Sequence, residues 1–266
     1  MIGAIYAVLR RELQRIARYP TWIANESFST VLMIVPIVLM GLAWAGSTGS
    51  WADRMPAAVP YMLVGSIVWQ LFGRMIYEMG YALRDEMLEG TLECVFTVPV
   101  PYIAVLAGRA IVSGALGLLQ AIVIWVIGIA LFKFTGGPTI FPVIGTLVLF
   151  LVSMSGLTIA FSALVLKMKR PATWVNLINA LVPLVGGVLV PVDLLPSFAR
   201  PISFALPTTY ASDLLRYILL GTASGMGPQL DLWVLSLMAI VGPVVGWATF
   251  RGVYRSARVS GSLLHY

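Results

Sequence analysis

Arg74 and Glu78 stand four residues apart inside a long apolar stretch, which puts both on one face of a helix. Ionisable groups in such a setting are costly, and they face a bundle interior or water. Either the two line a transport route or lock helices together, or they form a self-satisfied ion pair that reaches for the interface. Asn176 and Asn179, in a later apolar stretch, can hydrogen-bond across a subunit seam, line a route, or join neighbouring helices. Bond-breaking chemistry is poorly provided for. The chain has one histidine, His265, and one cysteine, Cys94. A Ser–His dyad inside the apolar region is therefore unavailable, as is an internal disulfide. No His/Cys cluster suits zinc, so no metal site is expected. No Walker A pattern is present, so this chain does not itself cradle ATP phosphates. Asp53, Asp85, Asp193, Asp213 and Asp231 fall in connections or at the ends of apolar segments, which disfavours Asp–Asp proteolysis within a membrane. The chain reads as a non-enzyme.

The stretch 84–101 is acidic in a basic neighbourhood. It carries Asp85, Glu86, Glu89 and Glu93, with Met87, Leu88, Leu92, Val95 and Phe96 between them. Leu88, Leu92, Val95 and Phe96 fall at helical spacing, which predicts a short amphipathic helix within 84–101. An exposed apolar face with acidic flanks suits a protein partner better than an anionic lipid surface, which would repel it.

The elements that must position these residues are membrane helices. Of 266 residues 59% are hydrophobic and 11% charged, where a soluble domain carries about 25% charged residues. Mean hydropathy is +0.94. Too little polar surface remains to cover a globule in water, so a bilayer is the expected solvent. The net charge of +6 does not indicate nucleic acid, because the basic residues lie between apolar runs and form no stripe with interleaved aromatics. Residues 2–19 have Ile2, Ile5, Leu9, Leu13 and Ile16 on one face and Arg10, Arg11, Gln14, Arg15 and Arg18 on the other, which predicts an interfacial amphipathic helix ended by Pro20. Charges that follow an apolar start do not read as a signal peptide.

Six apolar segments follow, at about 25–45, 59–83, 103–132, 140–166, 172–191 and 231–252. Each approaches the roughly 20 residues needed to cross about 30 Å of hydrocarbon. The expected architecture is all-α and polytopic, a single transmembrane domain over 1–266. Lys and Arg are distributed twelve to four between the two sides, with Arg74 between them, accounting for all 17. That bias puts both termini in the cytoplasm. Ala110–Gly114, Gly117–Ala121 and Gly156–Ala160 are small-residue spacings that permit close helix packing. The outer connection 191–230 holds Leu194, Leu195, Phe198, Ile202, Phe204, Leu206, Leu214, Leu215 and Ile218, too many apolar groups for a solvated loop. Short helices re-entering the outer leaflet between the fifth and sixth segments account for it.

Glu86-Met87-Leu88-Glu89-Gly90-Thr91-Leu92-Glu93 leads to Val98-Pro99-Val100-Pro101 and then Gly108-Arg109. Later come Pro191-Val192-Asp193-Leu194-Leu195-Pro196, Leu206-Pro207-Thr208-Thr209-Tyr210 and Leu214-Leu215-Arg216. In this order, over essentially the whole chain, these motifs resemble the ABC-2 type transporter permeases, which include polysaccharide, nodulation-factor and drug exporters.

The resemblance implies a permease homodimer in the inner (cytoplasmic) cell membrane, working with two copies of a separate ABC ATPase subunit that binds ATP and Mg. This chain itself would bind no cofactor. Residues 84–98 would be the coupling helix that docks into the ATPase, through Glu86, Leu88, Glu89, Leu92, Glu93 and Phe96. Residues 191–220 would be the re-entrant helices that close the exit, with Pro191, Pro196, Pro207 and Tyr210 at the gate and Arg74, Glu78, Asn176 and Asn179 along the route. Two other readings stand beside it: a secondary carrier or channel that works without ATP, and a membrane scaffold that recruits a cytoplasmic protein through 84–101. Scarce acidic groups within the apolar segments disfavour the carrier. The eight Trp residues lie mostly at segment ends or scattered, as interface anchors do. The substrate expectation therefore leans to an amphipathic, drug-like or lipid-linked compound over a long glycan.

Overall fold

The computed structural model describes residues 2–18, 58–88, 102–132, 140–165, 171–222 and 225–259, with scattered positions between 21 and 43. Every regular element among them is helical. Helix α1 is Ile2–Arg18, α2 Ala58–Leu88, α3 Tyr102–Phe132, α4 Ile140–Val165 and α5 Pro171–Val185. A 3-10 turn at Val192–Leu194 leads to α6, Arg200–Phe204, and α7, Pro207–Leu220; α8 is Pro228–Val259.

Four stretches are long and apolar enough to cross a bilayer: Val59–Tyr81, Ala104–Ala130, Ile140–Leu164 and Pro228–Val253. The first expected segment, 25–45, lies largely outside the described residues. The fifth differs from expectation. Counting apolar residues predicts a helix over 172–191, but the helix ends at Val185, short of a full crossing. Backbone chemistry explains the stop. Pro183 has no amide to donate, and Gly187 adopts the left-handed conformation at φ 69°, open to glycine at no steric cost. The last helical bond runs from the Gly186 amide to the Val182 carbonyl at 2.6 Å, and the Leu189 amide folds back to Pro183 O at 3.1 Å. Apolarity was legible over 172–191; the break inside it was not.

Helix α2 is the hub. It packs against α3, α4, α5 and α7. Met62, Leu63, Ile67, Leu71, Phe72, Met75, Ile76 and Met79 are fully buried along it. In contrast, only 17% of the most apolar stretch of α8 is covered, against 72% for α2. Trp233, Leu237, Ile240 and Val244 of α8 point outward, onto surface that in a bilayer meets lipid or another subunit.

Helices α4 and α8 make the closest crossing. A Cβ on Gly156 would overlap the backbone of Gly242, and one on Gly246 would overlap Gly156. The Ser153 hydroxyl crosses the seam to Leu235 O at 3.2 Å. Small residues let the backbones touch, which replaces the hydrophobic drive absent in lipid. Other hydroxyls on α4 turn inward to their own backbone, Thr146 to Pro142 O at 2.9 Å and Thr158 to Met154 O at 3.0 Å, so no donor is stranded.

Amphipathic α1 packs along α3, where Gly108 leaves room for Val8. Arg10, Arg11, Gln14 and Arg18 of α1 are exposed, as the charge pattern predicts.

Replacing Gly156 by Leu should force α4 from α8 and destabilise the protein by about 1–3 kcal/mol or more, read as a lower melting temperature in lipid. Gly145→Ala is the control. Gly145 is exposed with nothing within 4 Å of its Cβ position, and alanine there should be neutral or slightly stabilising.

Candidate transport site

Between α2, α3 and α5 lies a polar chamber of about 340 Å³, near the small end of the roughly 300–1,000 Å³ range of ligand pockets. Ser29, Thr30, Trp69, Gln70, Gly73, Arg74, Tyr77, Glu78, Gln120 and Asn179 line it. Positions 70, 74 and 77 recur at helical spacing on α2, so one face of the hub helix supplies most of the polar wall. The Gln70 amide reaches Thr30 Oγ1 at 3.3 Å. The Trp69 indole N–H donates to Asn179 O at 3.3 Å, and the Tyr77 hydroxyl donates to Asn176 Oδ1 at 2.6 Å. The Tyr77 and Tyr81 rings stack with centroids 5.9 Å apart. Gly73 lets α5 come close, for a Cβ there would sit 2.9 Å from Asn179 Oδ1.

Three of the residues singled out from sequence, Arg74, Glu78 and Asn179, thus share one chamber, and Asn176 joins its edge through Tyr77. Pro191, Pro196, Pro207 and Tyr210 line no part of it. They build the outer connection. Pro191 starts the 3-10 turn, the Ala199 amide donates to Pro196 O at 2.9 Å, and Pro207 opens α7. The buried Tyr210 ties α7 to α6 through Phe204 O at 2.8 Å. Residues 84–88 continue α2 without interruption. Of the expected coupling residues, Glu86 and Leu88 fall on that continuation; Glu89, Leu92, Glu93 and Phe96 lie outside the described residues.

The segment after the α5 break lies in a second polar cluster. Arg216 of α7, only 2% exposed, donates from Nη1 to Gly187 O at 2.8 Å and from Nη2 to Val188 O at 2.5 Å. Its guanidinium lies 3.4 Å from the centre of the Tyr61 ring and 3.3 Å from Asp213 Oδ1. Ser212 donates to Gly187 O at 3.3 Å, and Ser203 donates to Val185 O. Gly65 makes room, because a Cβ there would overlap the Val188 carbonyl oxygen.

Sequence reading missed two sets of residues. Trp69, Gln70, Tyr77 and Gln120 were unremarkable polar and aromatic residues until the α2 face was known. Arg216 entered only as the last residue of the Leu214-Leu215-Arg216 motif, with no buried role expected of it. The signals were available: Gly186-Gly187 after Pro183 marks a break, and a break needs donors.

Among the described residues no cluster of His, Cys, Asp or Glu could hold a metal ion. Several apolar helices of span length packed around a polar chamber mark a multi-pass membrane protein. The sequence model of the ABC-2 type transporter family matches residues 3–220, and the chain belongs to that family. Comparison with curated proteins finds no match.

Tyr77→Phe removes the 2.6 Å bond to Asn176 and should cost about 0.5–1.5 kcal/mol. Asn176→Leu should cost a similar amount, and the double variant should add little further, in a thermal-unfolding cycle. Gly65→Ala should be worse than either, because backbone must yield, with a loss of about 1–3 kcal/mol.

Proposed function

We propose that the chain is the permease subunit of an ATP-binding-cassette exporter, a homodimer that works with two copies of a separate ATPase subunit. Membership in the ABC-2 type transporter family over residues 3–220 is the observation that carries this reading. ATP and Mg belong to the partner; this chain supplies conformational coupling and a route. The six-span architecture is completed by a first span within 25–45 and by a fifth made of α5 with the segment after its break. Helices α6 and α7 are re-entrant and close the exit, and both termini face the cytoplasm of the cell membrane.

The chamber lined by Arg74, Glu78 and Asn179 holds the polar part of the substrate. At about 340 Å³ it has room for a polar headgroup, which supports an amphipathic, drug-like or lipid-linked cargo or one with a glycan headgroup. ATP closure of the two partner subunits moves residues 84–98 and α1; α5 then shifts, and substrate passes outward.

The test is co-expression with a candidate ATPase subunit and measurement of ATP hydrolysis by the purified pair in lipid. Charge reversal at Glu86, Glu89 and Glu93 should separate the pair or cut stimulated hydrolysis about tenfold or more. A stable oligomer that binds no ATPase and carries solute without ATP would replace the exporter with a secondary carrier.

A further inference from the structure

The break after Val185 frees carbonyls that no helix satisfies, and Arg216 meets two of them at once. Its two terminal nitrogens fork onto Gly187 O and Val188 O. The Tyr61 ring covers its face, and Asp213 supplies the counter-charge. Backbone carbonyls, a carboxylate and an aromatic face are the groups that hold a cation at a broken membrane helix. Here the cation is part of the chain. It arrives on α7 together with Asp213, whereas the ring belongs to α2 and the two carbonyls to the segment after α5, so the contact to ring and carbonyls can be made or broken by moving α7.

We propose that the Arg216 guanidinium is a tethered cation that latches the break in α5 shut, and that the outer side opens only when the guanidinium leaves its two carbonyls. The opening clause rests on α6 and α7 being the exit closure; the cage itself does not. Arg216 is a positioning residue and touches no cargo. The fork matters as much as the charge. A lysine ammonium ends short of the fork and lacks its planar pair of donors. Gly65 fits the same picture, since a Cβ there would overlap the Val188 carbonyl oxygen and lie 3.0 Å from Arg216 Nη2.

Hydrogen exchange tests the latch on the unaltered protein. The Gly186 amide closes the last helical bond, and the Leu189 amide is hydrogen-bonded across the break. With the chain in lipid alongside its co-expressed ATPase, exchange over 186–190 should quicken about tenfold or more when ATP plus vanadate traps the pair. Unchanged exchange in a pair that hydrolyses ATP would make Arg216 a static brace and overturn the latch.

The chain alone, in lipid nanodiscs, tests the cage without any partner. Arg216→Ala should lose thermal stability, and ethylguanidinium should restore it where ethylammonium does not. No rescue, or equal rescue by both, overturns the cage. Arg216→Lys covers the case in which the alanine variant does not fold. It should quicken exchange over 186–190 about tenfold and leave α4 and α8 unchanged. Unaltered exchange in that variant also counts against the proposal. Failure to pair with any ATPase would sink the exporter reading and leave the nanodisc result standing.

Discussion

Inside hydrocarbon a backbone carbonyl cannot turn to water, so each one must find a donor within the protein. Unbroken helices meet this demand by themselves, and α2, α3, α4 and α8 do so over most of their length. The chain departs from that solution at Gly186, and much of the neighbouring structure answers the departure. Ser203 reaches Val185, Ser212 and Arg216 reach Gly187, and Arg216 also reaches Val188. Gly65 on the hub helix is bare so that the Val188 carbonyl can approach. Helices α6 and α7 pack where they do because they carry the donors. An interrupted apolar helix is costly unless its irregular backbone is buried in protein, and here Gly186 to Val188 are buried beneath α7.

The polar chamber and the break share α5 and α2 but use different chemistry. The chamber is lined by side chains with both donors and acceptors, together with an arginine and a glutamate. The break is lined by main-chain carbonyls already matched to an internal guanidinium. Asn176 and Asn179 lie below Pro183 in the regular part of α5, and Gly186 to Val190 in the irregular part. A movement of α5 would therefore alter both places together.

Much of this was legible in the residues, and the exceptions have physical causes. Hydropathy located the four segments that form span-length helices among the described residues, because solvent preference is additive along a chain. The helix limits of α3 and α4 follow the hydropathy closely. Arg74, Glu78 and Asn179 stood out because polar groups in apolar runs are expensive, and they meet in one chamber. Hydropathy was blind to the end of α5, since glycine and proline act through backbone geometry. Arg216 was misjudged for a related reason: its burial depends on carbonyls that appear in no side-chain pattern. Gly156 was noted for its spacing to Ala160, but the close approach is to Gly242 and Gly246, some ninety residues on.

Helix α2 runs through 31 residues from Ala58 to Leu88 without a kink-inducing proline inside it after Pro60. At 1.5 Å per residue it is a rod about 46 Å long. Its far end presents the Tyr61 ring to Arg216 and its middle carries the chamber wall. Its near end is the charged stretch Arg84-Asp85-Glu86. A rod of that length does not absorb a push; it delivers it. A tilt of a few degrees about the packed middle would swing Tyr61 by ångströms, enough to uncover the guanidinium face. Mechanical work done at one surface of the membrane would then reach the other through a single piece of secondary structure, with no relay of loops between them.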